Sequence, residues 1–153
     1  MADTIKDSGN RREFSTGAVR DMQEGKGRLD LVPLNVVSVL LDDAILSFLS
    51  DFKESGYTNT SDLYCVLKGY AQAAFNGDMY TMILEVAKHF ENGAKKYGEN
   101  NWQKGLPPSC YIDSATRHYL KHKRGDDDEP HHLAVVWNIL CCIWEVDYHD
   151  CNN

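Results

Sequence analysis

The sequence has no hydrophobic run near the ~18 apolar residues that a membrane span needs. Its polar opening, MADTIKDSGNRREF, lacks the apolar core of a secretory signal. The expectation is a soluble protein in a reducing cytoplasm. Cysteine is present without pattern. The five residues Cys65, Cys110, Cys141, Cys142 and Cys151 form no C-x-x-C pair, and an odd count is poor for a closed disulfide framework. Cys141 and Cys142 lie inside an apolar run, where buried thiols are expected rather than redox or metal groups. No stretch alternates with period two for long, so no sheet is expected. There is no H-E-x-x-H, no Walker lysine loop and no G-x-S-x-G, which removes several common hydrolase classes. An excess of basic charge is also missing. Sixteen Lys and Arg stand against 23 Asp and Glu, for a net charge of −7. A non-specific nucleic-acid binder would need a basic face to displace counterions. A nucleotide enzyme needs only a few local cations, and bound metals can supply the rest.

What is present is an ordinary globular balance: 153 residues, 42% hydrophobic and 25% charged. That length predicts one domain, here residues 11–153 behind a flexible tail over residues 1–10. The segment FSTGAVRDMQEGKGRLDL has no helical apolar stripe, and Gly17, Gly25 and Gly27 favour irregular backbone. Beyond it the apolar residues recur at helical spacing. Val36, Val37, Leu40, Leu41, Ala44, Ile45, Phe48 and Leu49 predict one long helix opened by Pro33. Leu63, Val66, Leu67, Tyr70 and Ala74 predict a second, capped within Thr60–Asp62. A third is expected from about Met79 to Tyr97, a fourth from about Tyr111 to Lys123, and a last from about Pro130 to Tyr148. The last is apolar almost all round, which suits the middle of a bundle or a subunit interface. The expected class is all-α: a compact bundle of about five helices with an irregular glycine-rich N-terminal arm.

Three polar clusters interrupt this pattern. The first sets Arg20, Asp21, Lys26, Arg28 and Asp30 among glycines, either a phosphate cradle or a salt-bridged surface arm. The second, GAKKYGENNWQKG over Gly93–Gly105, offers Tyr97 and Trp102 as flat faces, Asn100 and Asn101 as paired donors and acceptors, and Lys95 and Lys96 as charge. It reads as a nucleotide clamp or as a plug for the top of the bundle. The third spans DSATRHYLKH and GDDDEPHH. Asp113 and Arg117 share a helix face, as ligand and phosphate contact or as a surface ion pair. Asp126, Asp127, Asp128 and Glu129 crowd together before His131 and His132, as a divalent-metal site or as an acidic turn at a helix N-terminus.

The ordered set FSTGAVRDMQEGKGRLDLVP, GAKKYGENNWQKG, DSATRHYL and HHLAVVWNIL resembles a phage family of dATP/dGTP diphosphohydrolases, all-α nucleotide pyrophosphohydrolases of the MazG-like kind. The resemblance implies release of a deoxynucleoside monophosphate and pyrophosphate from dATP or dGTP with Mg²⁺ or Mn²⁺. It also implies action on the nucleotide pool in the host cytoplasm. The paired ExxE and ExxD metal motifs of the wider group are absent; Glu85 and Glu91 stand six apart.

The expected metal ligands are therefore Glu91, Asp113, Asp128, Glu129 and His132, with Glu85 as a further candidate. Glu91, Asp113 and Glu129 are the expected catalytic carboxylates. Lys26, Arg28, Lys96, Tyr97, Asn101, Trp102, Arg117 and His118 are the expected substrate contacts, and the cations among them would offset developing phosphate charge. A bundle this small with so apolar a last helix is expected to form a homodimer or homotetramer. The competing expectation is a nucleotide sponge, a binding protein without turnover, which would keep the cations and aromatics but need no crowded carboxylates.

Overall fold

The computed structural model describes residues 8–149. Most of the expected flexible tail, and the chain end with Cys151, lie outside the described residues. Within the tail, the Ser8 backbone N–H donates to the Asp21 carboxylate at 3.3 Å.

The described chain holds six α-helices behind a short hairpin: β1 (Arg11–Glu13), β2 (Val19–Asp21), α1 (Leu34–Leu40), α2 (Ala44–Glu54), α3 (Ser61–Phe75), α4 (Met79–Tyr97), α5 (Pro108–Arg124) and α6 (His131–Trp144). Two short 3₁₀ turns, Leu29–Leu31 and Asn101–Lys104, and a π-helical turn, Glu145–His149, complete it. The mostly helical class matches expectation; two details differ.

The long helix expected after Pro33 is two helices. Asp42 takes a left-handed backbone with φ of 50°, which ends α1, and the Asp43 side chain then caps α2 by accepting from Leu46 N at 3.0 Å. Periodicity ran on across the break because a tight turn can preserve the apolar phase. The consequence is visible in burial. Ile45 and Leu49 are core, whereas Val36, Leu40 and Leu41, counted on the same stripe, are exposed.

The second difference is the hairpin, where no sheet was expected. Arg11 faces Asp21, Arg12 faces Arg20 and Glu13 faces Val19 in antiparallel register. Three residues a side are too few to show a period, and a lone hairpin is marginal in water. Here the bundle holds it. Asn101 accepts from Val19 N at 2.9 Å through Oδ1 and donates to Val19 O at 2.8 Å through Nδ2. Thr16 Oγ1 donates to Gly105 O at 2.5 Å. Gly105 must be glycine for this approach: its φ is 116°, and a Cβ there would lie 2.7 Å from His149 Cε1 and 3.0 Å from Thr16 Cγ2.

α6 occupies the middle of the bundle, packing on α3, α4 and α5. Its apolar circumference is thus covered within the chain: Leu133, Val135, Val136, Ile139, Cys141, Cys142 and Ile143 are all buried. Burial pushes both thiols up, Cys142 above its ordinary range and Cys141 well above it, so they are core groups. Among the described residues, no helix is long and apolar enough to cross a membrane.

Candidate active site

The arm, α4, α5 and the start of α6 enclose a cavity of about 520 Å³. This lies within the usual range for sites that take ligands of nucleotide size.

One wall is cationic. The hairpin register sets Arg12 directly across from Arg20, and both line the cavity. Like charges opposite one another on a hairpin are unfavourable unless an anion lies between or beside them. The Arg20 guanidinium sits 5.6 Å from the ring centres of both Tyr111 and Trp137. Its Nη2 donates to Asn138 Oδ1 at 3.2 Å. Its Nη1 is buried with no hydrogen-bond partner among the described residues, a donor group that calls for an acceptor. Lys26 and Lys121 also line the cavity, with Lys26 Nζ 3.0 Å from Asp21 Oδ2.

The floor is α5. Asp113 and Arg117 lie one helical turn apart and are both nearly buried. Arg117 Nη2 donates to each Asp113 oxygen at 2.8 Å and to Gly27 O at 2.5 Å. Asp113 Oδ1 also accepts from Leu29 N at 2.6 Å. Together these bonds tie the glycine-rich arm to the bundle. The Arg117 Nε is buried and has no partner among the described residues.

The opposite end is a histidine and carboxylate group formed where α5 meets the turn into α6. His118 Nδ1 and His131 Nδ1 lie 2.8 Å apart, and His131 Nε2 lies 2.8 Å from Asp128 Oδ1. Glu129 is 9% exposed and His131 is 1% exposed. The backbone bond from His131 N to Glu129 O, 2.9 Å, folds the two together across Pro130. Ligand atoms of His118, Glu129 and His131 all lie within 4.8 Å of one another, as do those of Asp126, Asp128 and His131. Burial holds His118 well below the ordinary histidine range, helped by the charges of its histidine and arginine neighbours, so its ring is neutral. His89 on α4 also lines the cavity. Burial pushes its pKa down to about 4, and its Nδ1 has no partner among the described residues.

The structure brings Lys26, Tyr97, Asn101, Asp113, Arg117, His118, Asp128 and Glu129 to this cavity. Asn101 spends its amide on Val19, so its work there is to hold the arm. Trp102 packs edge-on to Phe90 and Trp144, at 5.9 and 5.0 Å, and lines a smaller neighbouring cavity of about 320 Å³. Tyr97 is a wall of both cavities. Besides Trp102, four expected residues are not brought to the main cavity. Arg28 grips Asp30, whose carboxyl its guanidinium holds below the ordinary range. Lys96 is half-buried on α4, close enough for its charge to act on His89. Glu91 is 70% exposed and ion-paired with Lys95 at 3.3 Å. His132 points to the far side of α6, against Phe75 and His122. Glu85, the further candidate, pairs with Lys88 at 3.2 Å.

Sequence reasoning passed over Arg12, His89 and Asn138 as site residues, and of the two adjacent histidines in the acidic cluster it put His132, not His131, among the ligands. His89 was legible, because it continues the buried stripe Met82, Val86 at helical spacing. So was His131, three residues after Asp128, where a carboxylate of the acidic turn meets the first imidazole of α6. Arg12 carried no signal, since nothing local sets the hairpin register.

The chain matches the family described as dATP/dGTP diphosphohydrolase, N-terminal, over residues 69–151, and it belongs to that family. The matched stretch runs from within α3 through α6 and contains His89, Asp113, Arg117, His118, Asp128, Glu129 and His131. Neither the curated proteins nor the solved structures gave a match.

Proposed function

We propose that this chain hydrolyses the purine deoxynucleoside triphosphates dGTP and dATP to the monophosphate and pyrophosphate. It would do so in the host cytoplasm during phage infection, with Mg²⁺ or Mn²⁺ as cofactor. The family description supports the substrate class and the reaction. The observation that carries the reading onto this chain is the polarity of the cavity. Arg12, Arg20, Lys26, Arg117 and Lys121 line it as cations, and His118, Asp128 and Glu129 line it as potential metal donors. A triphosphate needs both.

A bound divalent ion would neutralise phosphate charge and lower the pKa of the attacking water. Glu129 is the carboxylate that fits it, because it shares one end of the cavity with two imidazoles, and Asp128 would brace His131 from behind. The chain's own part is electrostatic and steric. The Arg20 Nη1 and Arg117 Nε, both without partners among the described residues, would donate to phosphate oxygens as charge develops on them. Tyr97, shared by the two cavities, offers a face for the base. In the reaction a water oxygen bonds to the α-phosphorus and the bond from that phosphorus to the α–β bridging oxygen breaks. Pyrophosphate leaves with the electron pair, and the water proton passes to an adjacent base, for which Glu129 is the candidate.

We also propose a homodimer or homotetramer. Its support is no longer α6, which the chain covers itself, but the exposed Val36, Val39 and Leu40 on α1 and Tyr80 and Leu84 on α4.

The test is incubation with each of the four dNTPs and Mg²⁺ or Mn²⁺, with products separated by chromatography. Monophosphate and pyrophosphate from dGTP or dATP in one step are expected. Diphosphate with orthophosphate, or nucleoside with triphosphate, would overturn the reaction. Tight binding of a purine nucleotide without turnover would leave a nucleotide-binding protein instead.

A further inference from the structure

The family description says nothing of which atoms hold a metal, and the expected carboxylate set does not converge. Asp113 is bonded to Arg117 and Leu29, and Glu91 stands on the solvent face of α4. What does converge is nitrogen. We propose that His118 Nδ1, His131 Nδ1 and the Glu129 carboxylate form a three-donor site for one borderline divalent transition-metal ion, Mn²⁺, Co²⁺ or Zn²⁺, in preference to Mg²⁺.

The argument starts from His131. Its Nε2 faces Asp128 Oδ1 at 2.8 Å, so the proton sits on Nε2, and the lone pair is left on Nδ1. That lone pair points at His118 Nδ1, 2.8 Å away. Two imidazole nitrogens facing each other across a buried gap need either one proton or a cation between them. Glu129 supplies the negative charge for the cation, on the same turn and within reach of both. Asp128 then does what carboxylates do behind metal-binding histidines: it fixes the tautomer and ring orientation and raises the basicity of the ligating nitrogen. The alternative trio of Asp126, Asp128 and His131 is the weaker one. Asp126 is held by Arg124 through two bonds, at 2.7 and 2.5 Å, and it would have to draw on the same His131 Nε2 that Asp128 occupies.

The donor set decides the ion. Two imidazoles and one carboxylate suit Mn²⁺, Co²⁺ or Zn²⁺, whereas Mg²⁺ favours oxygen ligands and keeps most of its water. Three protein donors leave coordination positions open toward the cavity, the arrangement of a catalytic rather than a closed structural site. This inference deepens the proposed function and shares its cavity, but metal binding stands on geometry alone and can be tested without substrate.

The experiment is titration of the nucleotide-free full-length chain with Co²⁺, followed by visible absorption and by proton NMR of hyperfine-shifted imidazole N–H resonances. One Co²⁺ per chain is expected, with two shifted exchangeable N–H signals, both from Nε2. The His131 signal should exchange the more slowly, because Asp128 holds its proton. A hundredfold excess of Mg²⁺ should leave the spectrum in place. Glu129→Gln and His118→Gln should each raise the Co²⁺ dissociation constant at least tenfold, with folding checked by circular dichroism. If a variant does not fold, the wild-type N–H count still decides. No stoichiometric Co²⁺ binding, a spectrum without shifted imidazole signals, or ready displacement by Mg²⁺ would overturn the site and leave a hydrogen-bonded imidazole pair. Co²⁺ bound as described without any dNTP turnover would sink the proposed function and leave this inference standing. Mg²⁺-supported turnover without the Co²⁺ signature would do the reverse.

Discussion

α4 and the α5–α6 corner carry the same chemical alphabet and use it in opposite ways. On α4, Glu85 with Lys88 and Glu91 with Lys95 form ion pairs on the solvent face; both residues of the second pair are 70% exposed. At the corner, Asp113 with Arg117, and Glu129 beside His131, are carried into the interior. The difference lies in what surrounds each helix. α4 packs one face on α6 and α3 and leaves the other to water, whereas α5 has α6, α2 and the arm around it. A carboxylate on a half-wetted helix is solvated and contributes little. The same group on an enclosed helix must find partners or a cation, because its desolvation is costly. Position within the bundle, more than residue type, separates a surface pair from a site.

The sharpest way to break the contrast is to unpair the corner. In Asp113→Asn the Arg117 charge, on a side chain only 12% exposed, loses its counter-ion. Breaking one partner of a buried pair typically costs about 3–5 kcal/mol, since the other charge stays buried and uncompensated. Urea denaturation should show a loss near that size. The double variant Asp113→Asn/Arg117→Met should recover part of it, because the stranded charge is gone. A loss under about 1 kcal/mol in the single variant would mean that this corner is wetter than its geometry implies, and the contrast with α4 would fail.

How much of this could be read from the chain alone follows the same division. Helix periodicity located α3 and α4, because each has one face against the core and the stripe records it, while α6, buried almost all round, showed as a nearly unbroken apolar run. Periodicity ran α1 and α2 together, because the break is a single left-handed residue, Asp42, whose φ no apolar pattern registers. For the site, the residue types were legible and the partners were not. Arg117 and Asp113 were readable as a pair from their spacing. That Gly27 O and Leu29 N also join them, from more than eighty positions away, is a matter of tertiary placement. His131 and His132 are adjacent, yet a helix turns each about 100° from the last. One therefore meets His118 at the cavity while the other packs on Phe75 and His122, away from it. Choosing between them from sequence requires knowing which side of α6 borders the cavity.

A second contrast can be sharpened by pH. His89 is the imidazole that α4 does bury, and its pKa is pushed from 6.5 down to about 4, chiefly by loss of solvent. A histidine with a depressed native pKa takes up its proton first in the unfolded chain. Its contribution to stability is therefore complete above about pH 6.5 and is lost as pH falls toward about 4. His118, His122 and His132 are lowered as well and act in the same direction. The unfolding free energy should thus decline on acidification across this window. In His89→Gln the slope should be shallower by up to one proton, about 1.4 kcal/mol per pH unit. Parallel stability curves for wild type and variant between pH 4 and 6.5 would show that His89 titrates normally and is not shut away from water.

The smallest effect belongs to the exposed side of the comparison, where the two readings of Glu91 part. Read from sequence, Glu91 is a metal ligand and catalytic carboxylate. In the folded chain its carboxylate lies 3.3 Å from Lys95 Nζ on an exposed helix face, one turn apart. Pairs of this kind contribute roughly 0.3–0.5 kcal/mol, because water screens the attraction and two long side chains must be held still. Glu91→Gln keeps the shape and removes the charge. It should change stability by no more than about 0.5 kcal/mol, and this small loss should shrink further in 1 M salt, where the Debye length is about 3 Å. The Co²⁺ affinity should stay at the wild-type value, since no atom of Glu91 belongs to either histidine–carboxylate trio. A Co²⁺ dissociation constant raised tenfold in Glu91→Gln would put α4 into the metal site. The wetted helix and the enclosed corner would then be one functional surface.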